Sequence, residues 1–444
     1  MQHTPQAIDL LIEARWIATV DTGEVLKNHA VAVDRDTIVA VLPAGEARSR
    51  FSAAEHRQLD NHLLIPGLIN LHTHAAMTLM RGIADDLPLM AWLQQHIWPT
   101  EAAHVSAQFV LDGTRLACAE MLRGGITCFN DMYFFPDAAA QAATEFGMRA
   151  VLGVTTLEFP TNYAADANDY LNKGLAVRER WLSNPLISFS LAPHAPYTVS
   201  DASFERIAML AAQLGLPIHC HLHETRQEIS DALQQDGRRP VTRLRDLGLL
   251  GPGLIGVHAV HLDDADRRLL AEANCSIAHC PTSNLKLASG LADVAAMQQR
   301  GINVGLGTDG AASNNRLDLF QEMRLAALLA KGSSGNAAIV PAGEALRMAT
   351  LNGAIALGMG HRLGSITPGK QADLCAVDLG SLHASPCFDP VSHLIYVAGR
   401  EDVSDVWIAG KCCVHHKNLR YDSLPQLEAT ITLWQNALQF RGQS

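Results

Sequence analysis

The chain has 444 residues, 48% of them hydrophobic, with 34 basic against 45 acidic side chains and a net charge of −11. That length allows one large domain with a smaller companion, or two to three ordinary ones. No Lys/Arg-rich run and no long apolar run occurs, which argues against nucleic acid and membrane as partners.

In chain order, the first apolar stretch, IDLLIEARWIATV, is broken by Asp9, Glu13 and Arg15, unlike a signal peptide. Nine cysteines without a CxxC pair suit reduced thiols and a cytoplasmic protein. Residues 8–62 read as short alternating strands, such as HAVAVDRDTIVAVL, with Gly and Asp turns. Eight apolar, often β-branched runs then follow. They are LLIPGLINLHTH (63–74), ITCFNDM (126–132), RAVLGVTTLE (149–158), ISFSLAPH (187–194), LPIHCHLHE (216–224), LIGVHAVHL (254–262), CSIAHCP (275–281) and INVGLGTDG (302–310). Most are separated by segments of helical periodicity. In FERIAMLAAQLG, Phe204, Ile207, Ala208 and Ala211 share a face; in LDLFQEMRLAALLAK, Leu319, Phe320, Met323 and Leu328 fall on one stripe.

Strands alternating with helices predict a parallel sheet. Eight such units over roughly 250 residues match a closed, TIM-like (β/α)8 barrel better than an open sheet. PAGEALRMATLNGAIALG predicts a helix leading out of the barrel. Residues 364–413 return to short strands, and LPQLEATITLWQNALQF predicts a closing amphipathic helix. Neither β-rich flank alone is large enough for a comfortable core. Both chain ends are therefore expected to build one small β-sandwich-like domain. The expected division is 1–62, 63–363 and 364–444, with the closing helix in the last part.

His72 and His74 are one residue apart in the first barrel strand, so both imidazoles point to one face. Alone, such a pair also suits two polar residues at a strand terminus. His219, His221 and His223 alternate in the fifth run, followed by Glu224. Asp309 lies in GTDG after the eighth run, where Asp-Gly is also an ordinary turn signal, and His258 ends the sixth. In a (β/α)8 barrel, catalytic side chains gather at the C-terminal strand ends. His72, His74, His194, His221, Glu224, His258 and Asp309 all fall at such ends. Converging buried imidazoles and carboxylates are costly without a shared partner. A divalent cation is that partner, and three His with one Asp suit zinc, with manganese or iron also compatible.

PGLINLHTH with AAMTLMRG, then PHAPYT, HLHET, the His258 strand, NLKLASG, GTDGAASNN and GSITPGKQADL resemble the amidohydrolase superfamily. Within it, the chain is most similar to the deaminases of 5′-methylthioadenosine and S-adenosylhomocysteine, over essentially its whole length. The resemblance implies one zinc ion per subunit, held by His72, His74, His221 and Asp309. It places the proton shuttle at Glu224 and a histidine near the attacking water at His258. It implies that Glu101 accepts the ribose hydroxyls and that His194 faces the nucleoside. Asp309 would take a proton from the attacking water, and Glu224 would protonate a purine ring nitrogen. Glu101 alone could equally be an acidic residue in a first helical turn. Trp92, in the same loop, is expected to contact ligand, while Trp98 is expected in packing. Ser283 and Asn284 suit substrate contact or a turn. His219 and His223 are expected to be structural.

The implied substrate is a small nucleoside, deaminated to its inosine analogue with loss of ammonia. Family members that accept the homocysteine tail offer arginines in the loop after the third strand. Here that loop, TTLEFPTNYAADAND, has no Arg or Lys, and Leu157, Phe159 and Pro160 suit a methylthio group better. The alternatives are a deaminase or hydrolase of another aminated heterocycle, of guanine, cytosine or triazine type, and a non-catalytic scaffold. Homo-oligomer formation stays open.

Overall fold

The N-terminal part of the chain forms four strands: β1 (Gln6–Ala18), β2 (Val25–Asp34), β3 (Thr37–Pro43) and β4 (Phe51–Pro66). The structure, a computed structural model, describes residues 5–439. The eight apolar runs follow as β5 (Leu68–Thr73), β6 (Ile126–Asp131), β7 (Arg149–Thr156), β8 (Ile187–Pro193), β9 (Ile218–Leu222), β10 (Leu254–His258), β11 (Ser276–His279) and β12 (Asn303–Leu306). Four more strands come last: β13 (Leu374–Asp378), β14 (Val403–Ile408), β15 (Lys411–His415) and β16 (Asn418–Leu419).

Strands β5 to β12 pair in parallel in sequence order. The two ends of this sheet meet. Thr308 N donates to Asn70 Oδ1 at 2.9 Å, and Asp309 N donates to the His72 carbonyl at 3.0 Å. Gly307 permits that approach, because a Cβ there would lie 2.9 Å from His72 Cβ and from its backbone nitrogen. The result is the expected TIM-like barrel.

The remaining strands form one separate sheet in the order β16-β15-β14-β13-β4-β1-β2-β3. The two chain ends join where β13 pairs antiparallel with β4, Cys375 opposite Ile65. The sheet curls back on itself. Thr37 bridges to Gln371, and Ile12, Val33, Ile38, Leu64, Leu374 and Trp407 from six of its segments share one buried cluster. This is the sandwich-like interior expected of the flanks. Strand β4 stays paired with this sheet as far as Pro66, so we infer that the barrel begins just after Gly67, a few residues beyond the expected boundary at 62.

The predicted helices form, with two differences. PAGEALRMATLNGAIALG is two helices, Ala342–Met348 and Leu351–Ala356, not one. Leu328 is 49% exposed and so leaves the stripe of Leu319, Phe320 and Met323, which are buried. The closing helix, Leu424–Gln439, packs on the barrel: Trp434 meets Phe109 edge to face and donates its Nε1 proton to Asp112 at 3.0 Å. Phe440, at the end of the predicted segment, lies outside the described residues. Among the described residues no helix is long and apolar enough to cross a membrane, and all nine cysteines are free.

Below the barrel, Arg149 at the start of β7 is 1% exposed. It makes a two-pronged bond to Asp373, Nε to Oδ2 at 3.0 Å and Nη2 to Oδ1 at 3.1 Å. Asp373 also accepts the Ala409 N–H, and its carbonyl accepts the Gly67 N–H, so this pair ties the barrel to both halves of the outer sheet. Breaking a buried ion pair leaves one charge uncompensated, which costs about 3–5 kcal/mol. Arg149→Met is therefore expected to lower stability to that extent in urea unfolding. A loss below about 1 kcal/mol would show the pair to be dispensable.

Candidate active site

At the C-terminal end of the barrel, four side chains from three strand ends converge. His72 Nε2 and His74 Nε2 each lie 3.2 Å from Asp309 Oδ1, and His221 Nε2 lies 3.2 Å from His72 Nε2. The local backbone serves this aim. Asp309 has φ 60° and His258 has φ 71°, left-handed conformations that carry strain in residues other than glycine.

The outer ring nitrogens are all engaged. His74 Nδ1 is 2.6 Å from the Met132 carbonyl, and His221 Nδ1 is 2.8 Å from the His194 carbonyl. A carbonyl only accepts, so each Nδ1 carries a proton, and each ring, when neutral, turns a lone pair on Nε2 inward. His72 Nδ1 is held by His219 Nε2 at 2.9 Å. Ser283 Oγ and Ser313 Oγ donate to Asp309 Oδ2 at 2.6 and 2.8 Å. Inward lone pairs facing one another beside a buried carboxylate fit a cation with nitrogen and oxygen ligands.

The electrostatics agree. Burial pushes His72 down to about 4 and His221 well below its ordinary value, so both are neutral at neutral pH. Burial opposes charge on His74 most strongly, but the bond and charge of Asp309, the Met132 carbonyl and Asp131 together outweigh it and lift it to about 9. Burial disfavours the Asp309 carboxylate, yet the bonds from His72 and His74 hold it well below the usual range.

Eight of the nine predicted site residues line one cavity of about 590 Å³: His74, Trp92, Glu101, His194, His221, Glu224, His258 and Asp309. His72 is fully buried behind them. Glu224 Oε2 is 3.8 Å from His258 Nε2, and Ser289 Oγ donates to Glu224 Oε1 at 3.1 Å. Burial raises the Glu224 pKa, against the pull of His258. His258 Nδ1 rests on Asn284 Oδ1 at 2.8 Å. His194 lies on the wall, its Nδ1 3.1 Å from Thr198 Oγ1 and its ring 4.8 Å from that of His221.

Glu101 sits across the cavity in the helix Trp98–His104, and Tyr133 OH donates to its Oε1 at 2.7 Å. Burial lifts Glu101 to about 7, although the Tyr133 bond works the other way. Trp92 and Trp98 both line the cavity, and Trp98 also meets the ring of Phe159.

One expectation from alternation fails. His223 follows the end of β9 with φ 54°, which turns it off the shared face. Its Nε2 accepts the Val241 N–H at 3.2 Å, and its Nδ1 lies 3.5 Å from Asp266. Ser283 and Asn284 hold Asp309 and His258, a role distinct from substrate contact or a turn. Sequence reasoning missed Tyr133 and Ser289, because a lone hydroxyl has no spacing signature that ties it to a distant carboxylate, and Ser313, whose small side chain reads as part of the turn after Asp309.

The amidohydrolase family model matches residues 63–413. A 5-methylthioadenosine/S-adenosylhomocysteine deaminase from Saccharophagus degradans is 47% identical over 432 residues, covering 97% of each chain. Among solved structures, an adenosine deaminase from Xanthomonas campestris with bound zinc matches with a TM-score of 0.97 at 50% identity, covering 98% of this chain and 100% of that one. An atrazine chlorohydrolase from Arthrobacter aurescens complexed with zinc matches with a TM-score of 0.89 at 25% identity, covering 96% and 100%. The chain belongs to the amidohydrolase family, in its branch of 5-methylthioadenosine/S-adenosylhomocysteine deaminases.

Proposed function

We propose that the protein is a zinc-dependent hydrolytic deaminase that converts the 6-amino group of 5′-methylthioadenosine to a carbonyl and releases ammonia. The observation that carries the reading is a metal-type donor set beside a buried carboxyl group, Glu224, whose pKa burial raises, in one nucleoside-sized cavity. His72, His74, His221 and Asp309 would hold one ion. Zinc, when bound, supplies the Lewis acidity that makes water a nucleophile at neutral pH.

The chain's own groups do the rest. Asp309 accepts a proton from the attacking water. Glu224, whose pKa burial raises, gives its proton to a ring nitrogen and makes C6 electrophilic. The water oxygen adds to C6, and His258 stabilises the charge that develops there. Asp309 passes its proton to the amine, the C6–N bond breaks and ammonia leaves; the C6 hydroxyl gives its proton to Glu224 and becomes a carbonyl, which restores both carboxyl groups. Glu101 accepts the ribose hydroxyls, with Tyr133 holding its other oxygen edge in place. His194 and Trp92 bound the nucleoside.

The 5′ end meets Leu157, Phe159 and Pro160, and no Arg or Lys occurs among the described residues that line the cavity. A homocysteine tail would bring a carboxylate there without a cationic partner. Zinc-loaded protein is tested on methylthio-, hydroxy- and homocysteinyl-adenosine by ammonia release. The expected kcat/KM for the methylthio substrate is at least about tenfold above that for the homocysteine conjugate, or about 1.4 kcal/mol. Equal or higher kcat/KM for the homocysteine conjugate sinks the 5′ preference. No release from any of the three sinks the activity itself.

A further inference from the structure

Glu224 leaves β9 on a short turn, His223–Thr225, that runs straight into the helix Arg226–Asp236. Thr225 caps this helix by accepting the Glu228 N–H at 3.2 Å. In a capping box, a glutamate at Glu228's position would return to the N–H of the cap residue itself. Glu228 reaches further back. Its Oε1 accepts the His223 N–H at 2.9 Å and its Oε2 accepts the Glu224 N–H at 2.8 Å. The carboxylate is 8% exposed, and both bonds go to the turn that carries the shuttle, at a residue whose φ is 54°. Holding a charge there costs desolvation that a simple helix cap at the surface avoids. Beyond this, among the described residues, the Glu224 side chain is steadied by Ser289 and His258.

We propose that Glu228 is a positioning residue for Glu224, its two oxygens fixing the backbone turn that aims the proton donor into the cavity. This rests on the shuttle role given to Glu224 above. Without Glu228 the turn would leave the His223 and Glu224 N–H groups without these partners. Glu228→Gln keeps the shape but sets an amide N–H against a backbone N–H, so one bond becomes a repulsion. The Glu224 carboxyl then loses its fixed aim while the metal ligands and ribose contacts stay as they were.

The test is a double-mutant cycle on the zinc-loaded full chain, with 5′-methylthioadenosine as substrate. Glu228→Gln alone is expected to lower kcat about 10–100-fold with KM within about threefold and metal content unchanged. In the Glu224→Gln background the same change is expected to cost less than about threefold, because its effect passes through Glu224. An equal loss in both backgrounds, or a loss confined to KM or to metal content, overturns the proposal and leaves Glu228 as a fold-stabilising cap. If Glu228→Gln does not fold, Glu228→Asp keeps the charge but is too short to span both N–H groups, and the same cycle is read with it. Wild-type protein that releases no ammonia would count against the deaminase reading, which separates that failure from this one.

Discussion

Glu224→Gln is expected to lower kcat by about 10²–10⁴-fold, with KM changed only a few-fold. Gln has the size of Glu and can still accept from Ser289, so the cavity keeps its shape. What it lacks is an acidic proton. Ring protonation happens as the water oxygen adds to C6, so the interaction lost is made in the transition state rather than on binding. Burial suits Glu224 to proton donation. It raises the pKa and so favours the protonated form, while His258 at 3.8 Å pulls the other way. Steady-state ammonia release, with metal content measured alongside, checks the prediction. A variant with raised KM and intact kcat would make Glu224 a binding group, not the proton donor.

The barrel was legible because its strands are fully buried and so nearly continuous in apolar residues, with helical periods between them. The site was legible for a related reason. A polar residue at the end of such a strand breaks the pattern, and His72, His74, His221, His258 and Asp309 are all breaks of this kind. What alternation could not supply is backbone that leaves the strand. His223 has the right spacing to join His221, yet one left-handed residue carries it away to Val241 and Asp266. The supports of the site were hidden for another reason. Ser283 reaches Asp309, Asn284 reaches His258 and Tyr133 reaches Glu101 across loops that are distant in the chain. Such pairings depend on loop geometry, which sequence periodicity does not encode. The outer sheet sits between these cases. Its two halves were each too small to stand alone, which predicted their union, but the register of Cys375 against Ile65 and the curl at Thr37 emerge only in three dimensions.

Removing the metal with a chelator is expected to abolish ammonia release, and zinc is expected to restore it. The sharper expectation concerns pH. In the metal-free site His72 and His221 are already neutral at neutral pH, driven down by burial, and Asp309 is ionised. His74 differs: Asp309, the Met132 carbonyl and Asp131 together outweigh burial and hold a proton there up to about pH 9. A metal needs the Nε2 lone pair of His74, so binding at neutral pH must displace that proton. Lower pH keeps more His74 protonated and weakens binding; higher pH favours binding until His74 is neutral, near pH 9. One displaced proton corresponds to an apparent affinity that rises about tenfold per pH unit between about pH 6 and 8. Competition against a chelator of known proton affinity, read as metal retained, measures this slope. A flat profile over that range would mean that His74 is already neutral in the free protein, with its Nε2 lone pair open to the ion before binding.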